Sequence, residues 1–327
     1  MLRCQQRERS TAAPRSPGDI VATDSGELHD VCIVGAGPAG LNAALILGRC
    51  RRDVVVIDSG KPRNGASRAL HGFLSRDGTP PLELRALGRA ELEPYPSVQL
   101  RQNTAVVAAR RGENRFDLTL ADGSTVAARI LLLATGRIDL VPEKPGFREY
   151  YGLGVFHCPY CDGWEHRDET LVAYSSGETG HDLALDLRVW SRDVVLCTDG
   201  PSGLTPAQLR KLALNGVRVI EAPVVGARGG TGGVIASIVF EGHPELSCGA
   251  IFFSSDCLQK SPLAEELGCD LDDTGSVRCT GHAATQVPGL YVAGNVRGGV
   301  HLAIVAAAEG AEAGMAINNA LHEADLK

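Results

Sequence analysis

The hexapeptide Gly35-Ala36-Gly37-Pro38-Ala39-Gly40 constrains this chain more than any other stretch, because its flanks give it meaning. Before it runs the apolar segment "DVCIV"; after it come the Leu/Ala-rich "LNAALILGR" and a second apolar run, "VVVID", that ends in Asp58. An apolar run, a glycine turn, a helical periodicity and another apolar run spell a βαβ unit. In such a G-x-G-x-x-G, Gly35 permits the tight turn, Gly37 lets the backbone approach a pyrophosphate, and Gly40 lets the helix pack against the sheet. Pro38 and Ala39 open the helix, whose positive N-terminal end would face the phosphates. Asp58, 18 residues beyond Gly40, is placed to accept hydrogen bonds from a ribose.

Two further strand ends have the same shape. The run 130–134 closes into Thr135-Gly136, and "VPGLYVAGNV" reaches Gly294-Asn295 just before a helical stretch from Ala303 onward. In a doubly wound sheet such carboxyl ends gather around one ligand. Between them the segment 168–200 repeats the βαβ rhythm, but its turn reads Ser175-Ser176-Gly177-Glu178-Thr179-Gly180. Ser175 requires a backbone that avoids positive φ, and Glu178 would repel a pyrophosphate unless it points away. The expected fold is therefore α/β, with two Rossmann-like nucleotide-binding domains. A length of 327 residues with 44% apolar content suits that number of cores.

Composition excludes several function classes. A net charge of −7 gives no general attraction for nucleic acid or anionic lipid, and an aromatic content of 5% supplies no base-stacking platform. No apolar run of membrane-spanning length free of charge is present, so no integral membrane span is expected. Residues 1–28 are polar and read as a disordered tail without a secretory core, which points to a cytoplasmic protein. "GARGGTGG", at 226–233, reads as a hairpin-like turn.

Ten cysteines are scattered, and only Cys158 and Cys161, in "FHCPYCDGWEHRD", are closely spaced. Taken alone, the pair could be a redox couple, a metal site completed by His166, or inert packing. The lack of a second C-x-x-C speaks against zinc, and no metal is expected. If a helix begins at Cys158-Pro159, proline takes the first helical position and the positive helix end lowers the thiol pKa.

The order of these features resembles the low-molecular-weight thioredoxin reductases from His29 to the C terminus: a complete G-x-G-x-x-G, an ATG strand end, C-x-x-C-D-G before a second βαβ unit, and a G-N-V strand end. The resemblance implies a discontinuous FAD-binding domain, 29–140 and 255–327, interrupted by a second nucleotide-type domain, 141–254, that carries the redox pair. It implies that Gly35, Gly37, Pro38, Ala39, Gly40, Asp58, Thr135, Gly136, Gly294, Asn295 and Ala303 hold FAD. It makes Cys161 the flavin-facing sulfur, Cys158 the substrate-facing one and Asp162 the proton donor and acceptor. It also implies a homodimer acting on a small or protein dithiol/disulfide.

Departures from that family's pattern matter equally. Ser175 replaces a motif glycine, the arginine motif for the NADPH phosphate is missing, Asn295 stands for an aspartate, and His301-Leu302 for an Arg-Gln pair. Such departures resemble a branch that includes thiol oxidases and related flavin-linked oxidoreductases. The expectation is a FAD-dependent dithiol/disulfide oxidoreductase that does not depend on NADPH, its second fold empty or holding a second FAD. The alternatives are an NAD(P)H-dependent thioredoxin reductase, using Asp199 on a ribose, and a flavin-binding redox sensor without turnover. Trp164 and Trp190 are expected in the core or an interface.

Overall fold

The computed structural model describes residues 28–230, 233–254 and 256–326. The expected tail lies outside them except for Leu28, which already belongs to the first strand; positions 231 and 232 of the Gly-rich turn also lie outside.

The opening motif folds as its pattern dictates. Strand β1 (Leu28–Val34) leads into helix α1 (Pro38–Arg49) and strand β2 (Val54–Asp58). Every residue of β2 is buried, as expected of a parallel strand covered on both faces. After helix α2 (Pro81–Ala90) come β3 (Val98–Gln102), β4 (Val106–Arg111), β5 (Phe116–Leu120) and β6 (Thr125–Leu133). The sheet runs β3-β2-β1-β6-β5-β4, parallel from β3 to β6 and antiparallel beyond.

The free edge of β6 is shared. Its first half pairs with β5, while Leu131, Leu132 and Leu133 pair in parallel with the strand Leu290–Val292 from the far end of the chain. The C-terminal helix, Ala303–Asp325, then lies along α1. Small residues allow that approach: a Cβ on Gly310 would stand 2.0 Å from the Ala39 carbonyl oxygen, and Asn42 Nδ2 donates to the Ala307 carbonyl at 2.7 Å. Chain ends far apart in sequence thus build one side of one nucleotide-type sheet.

A second parallel sheet, ordered Arg218–Ile220, Val194–Cys197, Leu171–Tyr174, Ala250–Phe253 and Val155–Phe156, is drawn from the intervening sequence. An antiparallel sheet formed by Val224–Gly229, Ile235–Phe240 and Leu246–Ser247 packs beside it. The chain leaves the first sheet through Arg137–Asp139 and returns through Cys257–Gln259; these two segments pair antiparallel and form the crossing point. The α/β architecture with two Rossmann-type sheets is the one expected.

Candidate active site

The carboxyl ends of β1, β2, β6 and Leu290–Val292 open onto a cleft of about 540 Å³. Gly35 sits at φ +108°, where a side chain is strained, and a Cβ there would fall 2.3 Å from the Ala134 carbonyl oxygen. A Cβ on Gly40 would fall 1.8 Å from the Gly35 carbonyl oxygen. Gly37 is different: nothing lies within 4 Å of its would-be Cβ, so no protein neighbour explains the glycine, whereas a ligand pressed against the backbone would. Gly35, Gly37, Pro38, Ala39, Asp58, Thr135, Gly136, Gly294, Asn295 and Ala303 all line the cleft. Gly40 does not line it and serves instead the packing of α1 on the turn. Both α1 and the C-terminal helix present their N-termini to this space, so unpaired N–H groups and positive helix ends converge there.

Asp58 is more committed than its position in the sequence suggests. Its Oδ1 accepts from the Ala36 N–H at 3.2 Å, and its Oδ2 pairs with Arg85, whose Nε also donates to the Ala36 carbonyl at 3.1 Å. Both side chains are buried, so this pair is shielded from water. Asp58 therefore holds the motif turn and Arg85 in place as well as facing the cleft.

Cys158 and Cys161 form a disulfide across the single helical turn Pro159–Asp162, with Cys158 as its N-cap and Pro159 at the first helical position, as expected. Cys161 and Asp162 line a second, smaller cavity of about 90 Å³ with Arg63, His71, Tyr151, His157 and Leu302. Arg63, Asn64, His301, Leu302 and Ala303 line both spaces, so the disulfide looks onto the same junction that ends the large cleft. Burial, reinforced by the charge of Glu165 and opposed by His71, pushes Asp162 up to about 7. Its carboxyl can thus take or give a proton near neutral pH.

A polar network frames the junction. Arg63 Nε donates to Asp139 at 2.8 Å, Tyr151 Oη donates to Asp139 at 2.7 Å, and the Tyr151 oxygen lies 2.9 Å from His157 Nδ1. Burial would raise Asp139, but Arg63, the charge of His157 and Tyr151 outweigh it and hold the carboxyl below its usual range. Burial lowers His157; the charge of Asp139 opposes it and that of Arg63 adds to it. Burial and then the charges of Arg63 and Arg137 push His301 down to about 4, so its ring is neutral at physiological pH.

The second βαβ unit presents a different surface. Its helix, Gly177–Asp186, starts from Ser176, and the positive φ falls on Gly177 rather than Ser175, which makes Ser175 sterically acceptable. The Gly177 N–H already donates to the Ser202 carbonyl at 2.8 Å. Asp199 accepts from Lys144 Nζ at 3.0 Å, the Val224 N–H at 2.7 Å and Tyr174 Oη at 2.8 Å. Burial opposes its ionisation, yet these hydrogen bonds prevail and hold the carboxylate below its ordinary range. Glu178, Asp182 and Asp186, spaced four apart on one helical stripe, line a groove of about 450 Å³ with His157, Phe253 and Ser254.

Comparison with known proteins then decides the family. The model of the pyridine nucleotide-disulphide oxidoreductases matches residues 29–310. The chain belongs to that family. It is 32% identical to the putative thioredoxin reductase TrxB from Bacillus anthracis, whose crystal structure superposes with a TM-score of 0.86, covering 91% of this chain and 99% of that one. It is 28% identical to the thioredoxin reductase tcpT of Claviceps purpurea over 81% of this chain and 86% of that one. It is 34% identical to a probable thioredoxin reductase of Arthroderma benhamiae over 53% of this chain, a match spanning 44% of that relative's length. This chain is accordingly a thioredoxin reductase-like flavoprotein disulfide oxidoreductase.

The residues of this disulfide oxidoreductase fit a flavin dinucleotide by their own chemistry. Thr104 Oγ1, Arg137 Nε and His301 Nε2 are buried polar atoms without partners among the described residues, and all three side chains line the large cleft. Such atoms are costly unless a ligand satisfies them. Sequence reading missed Thr104, Arg85, Arg63 and Tyr151; none carries a motif, and only the folded chain brings them to the cleft or the junction. Among the described residues no group of three or more His, Cys, Asp or Glu side chains is arranged to hold a metal ion. No described helix is long and apolar enough to cross a membrane.

The two tryptophans take different places. Trp164 is exposed, stacked under Arg167 at 4.2 Å, because the turn after Cys161 carries it outward. Trp190 is half-buried and meets Tyr160 edge-on at 5.4 Å.

Proposed function

We propose that this protein is a FAD-dependent dithiol oxidoreductase that works without NADPH, passing electrons between dithiols and flavin through the Cys158–Cys161 couple. The observation that carries the first half is the shared lining of the two cavities: Cys161 lines the small one, whose Arg63, Asn64, His301, Leu302 and Ala303 also line the cleft that fits the dinucleotide. The second half is supported by the filled surface of the other βαβ unit. The Gly177 N–H and Asp199 are already engaged, Lys144 is spent on Asp199, and three carboxylates line the groove beside that helix. A nucleotide phosphate needs free N–H groups and a cation, and like charges repel it. The same features argue against a second flavin there, so the expected content is one flavin per chain.

In the step that follows, a substrate thiol attacks Cys158 Sγ, Cys161 leaves as a thiolate facing the small cavity, and Asp162 accepts the proton of the attacking thiol. The second substrate thiol then attacks the mixed disulfide; its proton passes to Cys158 and the substrate departs oxidised. When bound, FAD accepts the two electrons of the reduced pair. Asp162 adjoins Cys161 in the same helical turn and lines the same small cavity.

Anaerobic stopped-flow mixing tests the proposal. A dithiol such as dithiothreitol should bleach the flavin rapidly, whereas micromolar NADPH or NADH should leave it oxidised for minutes. Rapid bleaching by a reduced nicotinamide would overturn the independence claim. Unchanged dithiol turnover in Cys161→Ser would overturn the role of the couple.

A further inference from the structure

We propose that His71 is a positioning residue for Asp162, controlling its charge and relaying its proton to solvent at the mouth of the disulfide cavity. This rests on the reading of Asp162 given above.

The geometry is that of a bracketed imidazole. His71 lines the small cavity together with Cys161 and Asp162. Its Nε2 lies 3.4 Å from Glu165 Oε1, and its Nδ1 lies 3.5 Å from Asp77 Oδ1. Asp77 is fixed in turn by the Gly72 N–H at 2.8 Å, and the 70–79 loop is closed by the Gly78 N–H to the Leu70 carbonyl. One carboxylate thus belongs to the loop that carries His71, and the other to the segment that carries the redox pair. The His71 side chain is one-fifth exposed, so it touches both the cavity and water.

The Asp162 carboxyl has no hydrogen-bond partner among the described residues, so burial first and nearby charge second set its state. Glu165 disfavours its ionisation and His71 favours it. Arg63, Tyr151, His157 and His301 line the rest of the same cavity. Arg63 is committed to Asp139, and burial holds both histidines toward the neutral form. The ionisable neighbours left beside Asp162 are therefore Glu165 and His71, with Asp77 on the other side of the His71 ring. Each dithiol oxidation leaves a proton on Asp162, and the next turnover needs the carboxylate back. An imidazole that lines the cavity with Asp162 and is partly open to water can accept that proton and release it.

Opposite charges give a signature that a merely structural role would not produce. Flavin-loaded wild type, His71→Gln, Glu165→Gln and Asp162→Asn are mixed anaerobically with excess dithiothreitol, and the bleaching rate is followed from pH 5.5 to 9. The ionisation of dithiothreitol is common to all four. In His71→Gln the midpoint of the acidic limb should rise by about one pH unit, slowing the reaction up to about tenfold at pH 6 and little at pH 9. In Glu165→Gln the midpoint should fall. An unmoved midpoint in His71→Gln, or the same direction of movement in both variants, overturns the proposal. An acidic limb that survives unchanged in Asp162→Asn overturns instead the underlying assignment of Asp162.

Discussion

Replacing Asp162 with asparagine should stabilise the protein, and increasingly so as the pH rises. Burial lifts this carboxyl from the ordinary aspartate range to about 7. The folded state therefore holds the proton more tightly than the unfolded chain does, and stability is lost as pH rises. The full contribution is present below the unfolded value of ~3.9, fades between ~4 and ~7, and is gone above that window. Integrated from pH 5 to pH 8, the loss comes to roughly 2–3 kcal/mol at most. Asparagine keeps the shape and carries no charge, so it escapes the loss. The assay is thermal unfolding of oxidised, flavin-loaded wild type and Asp162→Asn at pH 5, 6, 7 and 8. The Tm advantage of the variant should grow by several degrees across the series and level off at pH 8. An advantage that is constant with pH, or that shrinks as pH rises, would refute the claim that burial of an ionised Asp162 is what the fold endures.

The motif glycines divide into two kinds, and alanine separates them. Gly40→Ala should fail to yield soluble flavin-loaded protein, because its Cβ meets backbone at 1.8 Å. Gly37→Ala should fold with a Tm close to wild type yet retain at most a tenth of the flavin, read from the 450 nm absorbance per chain. Arg85→Met, which leaves Asp58 buried and unpaired, should cost about 3–5 kcal/mol in denaturant unfolding; restoring neutrality with Asp58→Asn in the same chain should recover part of that loss.

The first βαβ unit was legible in the sequence because its signals are local. A glycine spacing, an apolar run on either side and an acid at the right interval are enforced by neighbours within about 30 residues. The helix start at the Cys pair was legible for the same reason, with proline at the first helical position, but the local string left redox, metal and packing readings of the two cysteines open. Arg85, Thr104 and Tyr151 were not, since nothing next to them in the chain announces what they face. Asp58 was found but under-described: its link to Arg85 spans 27 positions and depends on how α2 returns over the sheet.

By itself, then, the sequence determined two nucleotide-type α/β units and the glycine turn that opens the first helix, consequences of short-range stereochemistry and hydrophobic periodicity, while the redox role of the Cys pair came from the resemblance to a family. Tertiary structure alone decided that the disulfide shares a junction with the large cleft, that Asp199 and the Gly177 N–H are already spent, and that His71 stands between two carboxylates beside Asp162. Those outcomes depend on packing between segments tens to hundreds of residues apart, and burial and charge at such contacts are properties of the assembled fold.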